Sequence, residues 1–165
     1  MRIAVRLLDP RLTAWGFPRR GSADSAGLDL FACIDSRLVL EPQAPATLIP
    51  TGLVVMIRDP EWCGLVLPRS GLGHREGLVL GNGTGVIDAD YEGPLFVSAW
   101  NRNPAPADGE TVARIVLEPG DRIAQLVVVR VAQAEFEILD DAAPGDPPVG
   151  DGARGGGGFG SSGRR

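Results

Sequence analysis

Lysine is absent from this 165-residue chain, and all 16 of its basic residues are arginine. That removes Schiff-base chemistry and the phosphate-gripping lysine of a Walker-type loop. The bias toward arginine is itself most simply a mark of a GC-rich genome. Histidine occurs once, at His74, so a histidine-rich zinc site is excluded and a Ser-His-Asp triad would have to use that residue. His74 reads as incidental. Cysteine occurs twice, Cys33 and Cys63, both in apolar strand-like runs and without a CxxC spacing, which fits a reduced, cytoplasmic protein. No apolar run approaches the ~18 residues needed to span a bilayer. The opening Met1-Arg2-Ile3-Ala4-Val5-Arg6 meets charge before any apolar signal-peptide core, so none is expected. No long stretch repeats its apolar residues every 3.6 positions. The chemistries that remain rest on carboxylates, hydroxyls, arginine, backbone amides and a hard metal such as Mg²⁺.

What is present points to one globular domain with a tail. The apolar share of 44% supports a real core, and the net charge of −5 argues against general nucleic-acid binding. Arg69, Arg75 and Arg154 nevertheless each lie in a glycine-rich segment, which suits a small phosphorylated ligand. Ile3, Val5 and Leu7 alternate with polar or small neighbours, the pattern of a half-buried strand. Further short strands are expected over 26–32, 37–40, 47–57, 63–67, 78–80, 95–100, 112–117, 123–131 and 136–139, punctuated by proline and glycine. About ten short strands at this spacing predict an all-β sandwich or barrel. The one helix candidate follows Ser70, with that serine as cap and Gly77 as stop. Composition changes at Ala142, where nine of the last 24 residues are glycine, too few apolar groups to offset ordering entropy. The division is therefore a domain over 1–141 and a flexible C-terminal arm over 142–165.

Five segments concentrate chemistry. The richest is Gly81-Asn82-Gly83-Thr84-Gly85-Val86-Ile87-Asp88-Ala89-Asp90-Tyr91-Glu92-Gly93, in which Val86 and Ile87 anchor a strand and glycines let main chain approach a ligand closely. Strand alternation would send Asp88 and Asp90 to opposite faces, so they are not an acid/base pair. Asp88 is placed either as a general base against a ligand or as a solvated turn residue. Pro68-Arg69-Ser70-Gly71-Leu72-Gly73 is either an anion cradle at a helix start or a capped turn with a surface arginine. Asp29, in Ala26-Gly27-Leu28-Asp29-Leu30, is a lone acid among apolar neighbours and requires donors, an arginine or a metal's hydration shell; a structural ion pair is the commoner outcome. Gln125, in Gly120-Asp121-Arg122-Ile123-Ala124-Gln125-Leu126, reads as a satisfied core amide. The tail Arg154-Gly155-Gly156-Gly157-Gly158-Phe159-Gly160-Ser161-Ser162-Gly163 is either a linker or a flap closing on a charged, flat ligand.

In this order, across the whole chain, the five segments resemble the five motifs of the trimeric deoxyuridine triphosphatases. The resemblance implies a β-jelly roll, a homotrimer with active sites shared among subunits, Mg²⁺ as cofactor, and dUTP hydrolysed to dUMP and pyrophosphate. It also implies roles. Asp88 would activate the water that attacks the α-phosphorus. Asn82, with the backbone of Val86, Ile87, Asp88 and Phe96, would form a uracil-reading hairpin, and Tyr91 would pack against the deoxyribose. Arg69, Ser70, Gly71 and Gln125 would meet phosphates, and Asp29 the metal's water shell. Phe159 would close over uracil, while Arg154, Gly160, Ser161 and Ser162 hold phosphate. Three departures stand out: Glu92 where arginine or glutamine is frequent, Ser162 where threonine is frequent, and a long 103–109 loop.

Two rivals follow from the same fold. A deoxycytidine triphosphate deaminase would typically lack the glycine-phenylalanine tail, and a catalytically silent nucleotide sensor would have no need of Asp88.

Overall fold

The computed structural model describes residues 1–107 and 111–138, in which ten strands dominate. They are β1 (Ala4–Leu7), β2 (Leu28–Phe31), β3 (Leu38–Leu40), β4 (Thr47–Met56), β5 (Trp62–Pro68), β6 (Leu78–Leu80), β7 (Gly85–Ile87), β8 (Pro94–Asn101), β9 (Ile115–Leu117) and β10 (Arg122–Arg130). Two four-stranded sheets, β1-β4-β8-β6 and β2-β10-β5-β7, are accompanied by a separate short β3-β9 ribbon, and every named pairing is antiparallel. The result is the expected jelly-roll-like all-β fold. Met1–Gln133 forms one compact unit, and the proposed boundary at 141/142 lies outside the described residues.

The sheets form from strands rich in β-branched and apolar residues, and β8 shows the period-2 pattern most clearly. In β8, Leu95, Val97, Ala99 and Asn101 are buried while the intervening residues reach outward. From the other sheet, Leu30, Phe31, Val66, Ile123 and Leu126 enter the same core cluster. At about 25 cal/mol per Å² of apolar surface, these side chains supply most of the driving force for closure. The buried polar groups are satisfied. Thr51 Oγ1 donates to Leu95 O at 2.8 Å, and Asn101 Nδ2 donates to Leu40 O and Ala113 O.

Several expectations require correction. A one-turn helix α1 (Arg11–Ala14) was not foreseen; Asp9 Oδ1 accepts from Arg11 N at 2.9 Å and starts the turn, and four residues are too few to show periodicity. After Ser70 there is a single π-helical turn, Leu72–Glu76, which Gly77 ends as expected. Ser70 makes no capping hydrogen bond there; the residue at the cap is Gly71. β1 is not half-buried. It is an edge strand, all four of its residues are exposed, and Val5 and Leu7 border an apolar groove with Phe17, Leu28, Val55 and Leu126. Phe136 and Ile138 form no strand and are 90% and 92% exposed, since no strand of the described chain pairs with them; Leu139 lies outside the described residues. Among the described residues, no helix is long and apolar enough to cross a membrane.

Candidate active site

Three of the five sequence segments converge on one sheet edge. β2 pairs with β10 so that Asp29 faces Gln125 across the ladder, and β5 ends opposite Ala124 at Pro68, delivering Arg69 and Ser70 to the same place. Asp29 is buried, and each of its oxygens meets a guanidinium: Oδ1 lies 3.1 Å from Arg69 Nε and Oδ2 accepts from Arg122 Nη1 at 3.0 Å. Arg69 Nη1 also donates to the main-chain oxygen of Arg122 at 3.0 Å. The ion pair anticipated for Asp29 is therefore present, and doubled. Gln125 Nε2 donates to Pro68 O at 3.0 Å, and its Oε1 stands where a Cβ at position 27 would fall, so a larger residue there would have to displace this amide.

These groups line a cavity of about 360 Å³ together with Ser70, Gly71 and Arg75. Three guanidiniums face one carboxylate in a chain of net charge −5, so the field is locally positive where the whole protein is negative. Planar guanidinium donors and the Ser70 hydroxyl suit the oxygens of a polyphosphate. The sequence reading assigned no site role to Arg122. Its position within the Gly120 segment was visible, but only the antiparallel register shows that it shares Asp29 with Arg69.

The glycine-rich segment is built differently from expectation. β6 belongs to one sheet and β7 to the other, so residues 81–84 form a crossover turn rather than the tip of a two-stranded hairpin. β7 pairs instead with β5, aligning Ile87 with Gly64 and Val86 with Leu65. Ile87 packs toward the core and Val86 is exposed, as alternation requires. The strand stops at Ile87. Asp88 and Asp90 therefore do not follow strand alternation to opposite faces; both are exposed and both border a second cavity of about 460 Å³ beside Trp62, Cys63 and Ala89. Tyr91 N donates to Asp88 O at 3.2 Å and closes the turn.

The single chain thus brings Asp29, Arg69, Ser70, Gly71 and Gln125 into one cavity and Asp88 into another, with no lining residue in common. Asn82, Val86, Ile87, Tyr91 and Phe96 line neither, and Phe96 projects outward from β8. Arg154, Phe159, Gly160, Ser161 and Ser162 lie outside the described residues.

A family model described as dUTPase matches residues 13–163. The chain belongs to the dUTPase family. Its relatives include proteins named deoxyuridine 5'-triphosphate nucleotidohydrolase from Burkholderia multivorans, 49% identical over 99% of both chains, and from Xanthomonas oryzae pv. oryzae, 46% identical over 99% of this chain and 96% of the relative. Among solved structures, the Staphylococcus bacteriophage 80alpha dUTPase with dUpNHpp superposes with a TM-score of 0.76 at 29% identity, covering 98% of each chain. A mutant dUTPase from phage phi11 of S. aureus, described with a coordinated structural Mg(II) ion, gives a TM-score of 0.70 at 28% identity over 85% of this chain and 97% of that one. The jelly-roll architecture of this chain is therefore that of the dUTPase family.

Proposed function

We propose that this chain hydrolyses dUTP to dUMP and pyrophosphate, a reaction that keeps uracil out of DNA and supplies dUMP for thymidylate synthesis. The observation that carries the reading is the arginine-lined cavity around Asp29 in a dUTPase-family chain: an acidic protein has gathered Arg69, Arg75 and Arg122 at one point. A triphosphate needs that charge to be neutralised and its phosphates aligned, which is how positioning lowers the barrier to phosphoryl transfer.

In this reading Arg69, Ser70, Gly71 and Gln125 hold phosphate oxygens. Asp88 accepts the proton of a water attacking the α-phosphorus in line, and pyrophosphate leaves. Asn82 and the main chain of Val86, Ile87 and Phe96 read uracil, where rigid backbone rejects a 5-methyl group by overpacking. Tyr91 lies against the deoxyribose. Residues 1–141 form the catalytic domain, and Arg154, Phe159, Gly160, Ser161 and Ser162 of the 142–165 arm close over base and phosphates.

In this reading Asp88 and Arg69, which border different cavities of one chain, act together in a homotrimer with sites shared between subunits. A cytoplasmic location follows from the substrate and agrees with two free cysteines.

The donor set fits Mg²⁺ only in company with the substrate. Among the described residues no cluster of three or more His, Cys, Asp or Glu could hold a metal ion. Asp29 lines the cavity and each of its oxygens has a lone pair beyond the one used on arginine, with which it would accept from the waters of an ion carried by the triphosphate. When bound, Mg²⁺ would neutralise phosphate charge and fix the phosphate geometry.

The test offers purified protein dUTP, dCTP, dTTP and UTP with Mg²⁺ while pyrophosphate and ammonia are assayed. Pyrophosphate from dUTP alone supports the proposal. Ammonia from dCTP would make the chain a deaminase, and no turnover of any nucleotide would leave a binding protein.

A further inference from the structure

The turn carrying Asp88 and Tyr91 is gripped from outside by one residue. Arg58, in the connection between β4 and β5, has φ 56°, a left-handed conformation that disfavours residues with a Cβ. Both of its polar ends are in use. Its main-chain N–H donates to Ala89 O at 2.9 Å, and its Nε donates to Glu92 Oε1 at 2.7 Å. The two contacts fall on either side of Tyr91. Within the turn, Tyr91 N donates to Asp88 O, Tyr91 Oη donates to Pro94 O at 2.8 Å, and the ring lies over Gly93, where a Cβ would stand 2.6 Å from Oη. Asp88, Tyr91 and Glu92 are therefore tied into one hydrogen-bonded turn, held from the β4–β5 connection by Arg58.

We propose that Arg58, through its amide on Ala89 and its guanidinium on Glu92, is a positioning residue that sets Asp88 for water activation and Tyr91 for discrimination between deoxyribose and ribose. The inference rests on the dUTP-hydrolysing reading of Asp88 and Tyr91. Glu92 is the departure from the family pattern noted in the sequence, and in this chain it is paired with Arg58. The pair is exposed, 62% at Arg58 and 49% at Glu92, and exposed pairs add little to global stability. Its consequence should therefore lie in the geometry of the turn rather than in the melting point. Arg6 of β1 also faces Glu92 and favours its ionised form, but only Arg58 is joined to the turn by a main-chain hydrogen bond as well.

The test uses the full chain with Arg58→Glu, Glu92→Arg and the double swap, each assayed for kcat, KM, the dUTP-to-UTP preference and melting midpoint. Each single change opposes like charges across the turn, and displacement of a catalytic group by a fraction of an ångström lowers kcat by about tenfold. The expected result is that fall at nearly constant KM, a reduced dUTP-to-UTP preference, unchanged midpoints, and substantial recovery of both readouts in the double swap. Singles that keep the parent's kcat and preference overturn the role, as does a double swap no better than the worse single. Asp88→Asn is run in parallel. If it abolishes turnover while the swaps are neutral, only the positioning role falls; if it turns over normally, the reading of the site falls and this inference with it.

Discussion

Replacing Asp29 with asparagine tests the electrostatic centre of the arginine-lined cavity while keeping the side chain's shape. In the parent, one buried carboxylate compensates Arg69 and Arg122 at 3.1 and 3.0 Å. Removing one member of a buried pair typically costs about 3–5 kcal/mol because the remaining charge is stranded. Here the stranded arginines reach water, with 28% and 34% of their side chains exposed, so the cost is reduced. About 2–3 kcal/mol remains, which for a domain of this length lowers the midpoint by about 4–12 °C. Thermal melts of parent and Asp29→Asn at one fixed protein concentration read this directly, since an oligomer's midpoint depends on concentration. Adding pyrophosphate should narrow the difference, because the anion supplies the missing negative charge to the two guanidiniums. A variant that melts within about 1 °C of the parent would refute the reasoning, showing that the pair's attraction only balances its desolvation.

Two further outcomes follow from groups outside the cavity. The Arg11 guanidinium beside Asp9 holds that carboxyl below the usual range, mainly by direct hydrogen bonds. A depressed carboxylate contributes stability above the unfolded value near about pH 4 and loses it as pH falls through the folded value, so the midpoint should drop on acidification below about pH 4, less steeply in Asp9→Asn. Burial, reinforced by Asp9, pushes the Cys33 thiol up to about 12. Thiolate is the reactive form, so Cys33 should resist alkylation at pH 8 in the native protein and react after unfolding, as peptide mapping by mass spectrometry would show.

The strands were legible as short apolar runs bounded by turn residues, and in β8 the alternation itself survives in the folded sheet. Asp29 was legible as a problem, a charge in an apolar run, but its solution was not, because Arg122 lies 93 residues away and meets it only through the β2-β10 register. The one-turn α1 helix fell below the length at which periodicity exists. β1 misled for a different reason: alternation identifies a strand but not whether anything covers it, and an edge strand lacks one neighbour. For Asp88 and Asp90 the strand period was carried past the end of β7 at Ile87. Five short motifs in order nevertheless sufficed to indicate the family, since each is weak alone and their order across the whole chain is specific.

The central claim is that Asp88 activates the water that cleaves dUTP. Its most direct measurement is pyrophosphate release from dUTP by Asp88→Asn, alongside binding of a non-hydrolysable dUTP analogue. The account predicts turnover lower by about 10²–10⁴-fold, the usual worth of a general base, with analogue affinity retained. Turnover equal to the parent's would contradict it.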